Sequence, residues 1–164
     1  MLSALVVSAL LTSIPVSPPT HWDEEDRLVA ASVMTPCIAH FVQFSDGYVG
    51  LRNPWAQDPA RSERNFRIRS RSDGTAYRAR LHSSGDRGMA RVECELTMPG
   101  ADLNGALAYL STVNVAEHTR RQQGNVTSYF EGPVAADTTP SFTLRATERG
   151  GVVFITMSGS KSYW

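Results

Sequence analysis

The sequence predicts an α+β fold, an antiparallel sheet of about five to six strands with two or three helices packed on one face. Two stretches carry apolar residues at helical spacing. Several pairs of short segments alternate strictly between apolar and polar residues and are joined by tight-turn residues, as antiparallel strands are. Their order is helix, two or three strands, helix, about three strands, which yields a sheet with one covered face and one solvated face.

Residues 1–20 read as a leader. The apolar run Leu2–Leu11 has the length of a signal-peptide core and is too short to span a bilayer, and Pro15, Pro18 and Pro19 follow it. No Lys or Arg precedes the run and no Ala-x-Ala site follows it, so a buried first element is the alternative. Export would place the mature domain, residues 21–164, in a secreted or periplasmic setting. An even cysteine count in such a compartment reads as one bridge, Cys37 to Cys94. It would close a loop of about 58 residues.

The first helix opens at Asp23-Glu24-Glu25-Asp26, whose carboxylates suit the positive end of the helix dipole. Leu28, Ala31, Met34, Ile38, Phe41 and Val42 supply its apolar stripe. Pro36 either kinks this helix or follows Thr35 as the first residue of a second one. From Ser45 to Arg64 the chain is rich in Gly, Pro and Asn and reads as a long loop.

A hairpin follows, Phe66–Arg71 against Tyr77–Leu81, with Asp73-Gly74 as a two-residue turn that sets Phe66 opposite Leu81 and Ile68 opposite Ala79. A third strand, Ala90–Leu96, places Cys94 on the apolar face, so that the bridge would pin the first helix to the sheet. Asp102 caps a second helix bearing Leu103, Ala106, Leu107, Leu110 and Val113. Val126–Glu131 reads as a strand. A last hairpin turns at Gly150-Gly151, with Ala146 opposite Ile155 and Leu144 opposite Met157.

Composition bounds the function. The chain has 164 residues, enough for one domain, and 41% of them are hydrophobic, which excludes a disordered polar chain. Sixteen basic residues balance sixteen acidic ones, so net charge provides no argument for nucleic acid or an anionic membrane. Nearly all the positive charge is arginine, and Lys161 is the single lysine.

The expected turn sets Arg67 against Arg80 and Arg69 against Arg78, and like charges facing across a sheet need a counter-ion. Two readings supply one. The strand after it can answer with Glu93 facing Arg80 and Glu95 facing Arg78, a salt-bridge ladder. Alternatively Arg67, Arg69 and Arg71, together with Arg145 on a later strand, form an anion-binding surface. Nucleic acid is not expected there, because the aromatics lie on the opposite face.

Other arrangements are weaker. Glu93 and Glu95 project together, about 7 Å apart, but their arginine neighbours oppose the raised pKa that glycoside hydrolysis requires. Cys37 and His40, three apart on a helix, resemble the start of a thiol nucleophile, against which the second cysteine weighs. Ser158-Gly159-Ser160-Lys161 lacks the helix that a Ser-x-x-Lys nucleophile needs. His21, His40, His82 and His118 show no metal-ligand spacing, and no glycine-rich phosphate loop is present, so neither metal nor cofactor is expected. The polar side of the later strands is read as Thr127, Tyr129, Glu131, Thr143, Arg145, Thr147, Thr156 and Ser158.

The resulting expectation is an exported, non-catalytic module that binds a partner protein, a glycan or a small anion through its sheet face, with no membrane span in the mature chain. The alternative is a small hydrolase with its site in the Ser45–Arg64 loop, using Asp46, Asp58 or His40.

Overall fold

The computed structural model describes residues 21–45, 61–70, 74–86 and 89–162; for 43–45, 61–70, 83, 85, 86, 90, 161 and 162 the description is of the backbone alone. The leader expected over 1–20 lies outside the described residues, as does most of the expected loop, with Asp46 and Asp58.

The chain runs α1 (Glu24–Ser45), β1 (Arg61–Ser70), β2 (Ala76–Asp86), β3 (Met89–Pro99), α2 (Leu103–Thr112), β4 (His118–Gln123), β5 (Val126–Glu131), β6 (Phe142–Arg149) and β7 (Val152–Ser162). All seven strands form one antiparallel sheet in the order β1-β2-β3-β7-β6-β5-β4. The expected α+β architecture is therefore present, with β4 as a further strand at the edge. After the first meander, α2 carries the chain to that far edge, and the second meander returns until β7 pairs with β3. Both helices lie on one face, α1 chiefly over β3 and β7, α2 over β6 and β7.

Local chemistry accounts for the helix boundaries. The Asp26 N–H donates to Asp23 Oδ1 (3.0 Å) and the Asp23 N–H donates to Asp26 Oδ2 (3.1 Å), a reciprocal capping box that starts α1. Pro36 lies inside a single helix, so neither a break nor a new cap occurs at Thr35. Asp26, Val29, Ala30, Val33, Met34, Cys37, His40 and Phe41 recur at three- and four-residue steps and are buried against the sheet. Asp102 caps α2 as expected, its Oδ2 accepting from the Gly105 N–H at 2.9 Å.

The sheet contributes Ala79, Leu81, Val92, Leu96, Leu144, Ile155 and Met157 to the same core. Phe142 stacks on Tyr129 with ring centres 4.5 Å apart and meets Phe41 at 5.4 Å. Gly159, opposite Phe142, leaves room for this cluster; a Cβ there would lie 2.7 Å from both Phe142 Cβ and Phe41 Cε2. Within this layer Cys37 of α1 is bonded to Cys94 of β3, with Cα atoms 6.4 Å apart and exposures of 6% and 2%. The bridge ties helix to sheet as the sequence predicts, and it removes Cys37 as a thiol nucleophile. No described helix is long and apolar enough to cross a membrane.

Three strand assignments differ from expectation. In the first hairpin Phe66 pairs with Ala79 and Arg67 with Arg78, two residues from the expected register, with an irregularity between Arg67 and Ser70. The next pair slips equally: Arg80 faces Glu95, His82 faces Glu93 and Arg78 faces Thr97. A slip of two keeps every side chain on its own face, so burial does not penalise it. Finally, Thr127 and Tyr129 are buried under the helices, not on the polar side. The Tyr129 hydroxyl donates to the Val113 carbonyl (3.0 Å) at the end of α2.

Candidate functional site

Alternation fixes the face opposite the helices. The positions that alternate with the buried ones are Arg78, Arg80 and His82 on β2, Arg91, Glu93, Glu95 and Thr97 on β3, and Phe154, Thr156, Ser158 and Ser160 on β7. Thr143, Arg145, Thr147 and Arg149 of β6 continue the surface, and Arg121 of β4 closes it over Phe130, its guanidinium carbon 5.4 Å from the ring centre. Among the described side chains of this face the charged groups are six arginines (Arg78, Arg80, Arg91, Arg121, Arg145, Arg149), all exposed, and two glutamates (Glu93, Glu95). A chain of zero net charge therefore segregates positive charge onto its open face, while Asp23, Glu24, Glu25, Asp26 and Asp102 gather at the starts of the helices.

The expected salt-bridge ladder is absent in the form predicted. The register sets Arg80, not Arg78, beside Glu95, and none of the six arginines is ion-paired among the described residues. Arg145 is exposed on this face beside Thr156. Arg67 and Arg69 are placed only by their backbone on edge strand β1, and Arg71 lies outside the described residues.

Three shallow depressions join into a furrow along β3 and β7. One of 270 Å³ has Arg91, Ser141, Thr143 and Ser160 around it; one of 120 Å³ lies between Arg80, Glu95 and Thr156; one of 270 Å³ lies among Glu95, Thr147, Arg149 and Phe154. Neighbouring depressions share Glu93 and Ser158, or Glu95 and Thr156. The cause is side-chain size: β7 presents short hydroxyls at 156, 158 and 160 between longer neighbours on β3 and β6. From Arg91 to Thr97 the floor extends about 20 Å at the usual rise of a strand.

Elsewhere, candidate chemistry is engaged in structure. His40 is 1% exposed on the buried side of α1, where burial lowers its pKa from the usual value, so the imidazole is not presented to solvent as a base. Ligand atoms of His21, Asp23 and Asp26 lie within 4.8 Å of one another, but the two carboxylates serve the capping box and the Tyr77 hydroxyl, which donates to Asp26 Oδ1 at 2.8 Å. Alternation in the sequence singled out Arg145 but not Arg121 or Arg149; Arg149 lies four residues from Arg145 on the same strand and so on the same face, whereas β4 is polar on both sides and gives no signal for Arg121.

No protein-family model, curated protein or solved structure matches this chain.

Proposed function

We propose that the protein is an exported, non-catalytic module that holds an extended acidic glycan in the furrow of its open sheet face. The observation that carries this reading is the set of exposed, un-ion-paired arginines flanking a floor of hydroxyls. Guanidinium groups match carboxylates in a planar, two-pronged geometry. Glu93 and Glu95 accept hydrogen bonds from sugar hydroxyls, which distinguishes a hydroxyl-rich anion from a bare one such as phosphate. Phe154 at one end offers an apolar face for a sugar ring. The buried Cys37–Cys94 bridge supports export, since such bonds persist in oxidising compartments.

Affinity electrophoresis tests the reading. Polygalacturonate in the gel should retard the protein, dextran should not, and raising the salt should abolish the retardation. The triple change Arg80→Gln, Arg91→Gln and Arg145→Gln should restore free mobility without altering the thermal midpoint. A wild type that migrates freely in polygalacturonate, or a triple variant that is still retarded, would overturn it. Intact-mass analysis of cell-free culture medium and periplasmic extract tests export; absence from both would overturn that part.

A further inference from the structure

Both glutamates of the furrow have a basic residue as their neighbour on β2. Glu95 faces Arg80 and Glu93 faces His82, while on the other side they face the β7 hydroxyls of Thr156 and Ser158. The two basic neighbours differ in one property. A guanidinium is cationic at any ordinary pH, whereas an imidazole gains or loses its charge between about pH 5 and 8. The counter-charge beside Glu95 is therefore permanent, and the one beside Glu93 is conditional.

Glu93 borders two of the three depressions, the one around Arg91 and Ser160 and the one between Arg80 and Thr156. A carboxylate bound in either meets its negative charge. His82 is half-buried on the same face, and cross-strand neighbours have Cβ atoms about 4.5–5.5 Å apart. No ion pair joins His82 to Glu93 among the described residues, so the influence acts through the field over one strand spacing and needs no contact. The other charged groups around His82 are Arg80, two residues along β2, Arg91 and Glu95, diagonally across on β3, and Glu63, which the backbone register of β1 sets opposite it. Ordinary carboxylates and guanidinium groups keep their charge over the range in which an imidazole titrates. The other histidines lie elsewhere: His40 is buried on α1, His118 packs on Phe142, and His21 bridges to Ala101 ahead of α2.

We infer that His82 makes the furrow's hold on an acidic glycan pH-dependent, protonation of its imidazole offsetting Glu93 so that a polyuronate binds more tightly in mildly acidic medium. This role rests on the furrow being the glycan site.

The full chain is titrated calorimetrically with tetragalacturonate at about pH 5.5, 6.5 and 8 and constant ionic strength, conditions in which the sugar carboxylates stay ionised. Thermal midpoints confirm that each variant is folded. Wild-type affinity should be about three- to tenfold higher at the acid end than at the alkaline end, the effect of one charge acting over this distance in a largely aqueous setting. His82→Gln should hold the weaker affinity across the range, and His82→Arg the tighter one. Because linkage is reciprocal, wild-type binding in the middle of the range should take up protons, seen as a heat that varies with the ionisation enthalpy of the buffer; His82→Gln should take up none. Affinity that does not change with pH, a slope that survives His82→Gln, or an arginine variant no tighter than wild type at the alkaline end would overturn the role of His82 and leave the furrow as the glycan site. No binding by wild type or by His82→Arg at any pH would overturn the furrow itself, and the role of His82 with it.

Discussion

Replacing Cys37 and Cys94 together with alanine removes the covalent tie between α1 and β3, and the structure sets the size of the effect. The two residues are 57 apart in sequence. Freeing a loop of about 58 residues returns about 14 cal/mol/K to the unfolded chain, or about 4 kcal/mol at 25 °C. In a domain of this size each kcal/mol moves the melting midpoint by about 2–4 °C, so the variant should melt about 8–16 °C lower. Scanning calorimetry with and without a phosphine reductant separates the bridge from the packing of its sulfurs. Reductant should lower the wild type towards the variant and leave the variant unchanged. Hydrogen exchange should quicken most along the half of α1 that follows Ser32, because the bridge is the covalent fastening there. A loss below about 1 kcal/mol, or two titratable thiols in denatured protein from an oxidising compartment, would refute the reasoning.

Gly105→Ala should destabilise the protein by about 1–3 kcal/mol in urea unfolding, although the same change in an exposed helix stabilises by about 1. The added Cβ would coincide with the Trp22 side chain. Tyr77→Phe should cost about 1.5–3 kcal/mol, read from the same transition, because the buried Asp26 carboxyl loses its 2.8 Å donor. Stability should also fall on acidification. Burial holds the pKa of His40 below 6.5, so its contribution is fully present above pH 6.5 and is lost as pH falls through the lowered folded value. Urea midpoints between about pH 5 and 8 should show this slope, and His40→Gln should flatten it. At the alkaline end Tyr109 and Tyr129, each raised to about 12, contribute stability that is complete below pH 10 and lost as pH rises from 10 through 12. Tyrosinate absorbance in folded and urea-unfolded protein checks that step.

Much of the fold was legible because the relevant signals are local. The last hairpin forms in the expected register, Ala146 on Ile155 and Leu144 on Met157, because Gly150 and Gly151, with φ of 61° and 74°, take the turn that a two-residue connection demands. Asp102 caps α2 through a bond three residues away. The first hairpin was less constrained. Asp73-Gly74 suggested a tight turn, but a slip of two residues buries the same side chains and so leaves the apolar pattern unchanged. Strand β4 carried no pattern at all: His118-Thr119-Arg120-Arg121-Gln122-Gln123 is polar on both faces and pairs at the edge only because β5 is already in place.

The candidate site was less legible than the fold. Arg145 was identifiable from alternation within its own strand, but β5 was assigned the wrong way round, and Tyr129 belongs to the aromatic cluster with Phe41 and Phe142. No spacing in the sequence reports that contact, since the three residues come from three separate elements.

By itself the sequence determined the α+β class, the caps, the closing hairpin and the joining of Cys37 to Cys94, because each follows from the chemistry of near neighbours or from there being one possible sulfur partner. Tertiary structure alone decided that β7 returns to pair with β3, and with that the furrow of hydroxyls among arginines that have no ion pair among the described residues. The furrow forms between segments distant in the chain, where the outcome depends on which surface the whole sheet and its two helices leave uncovered.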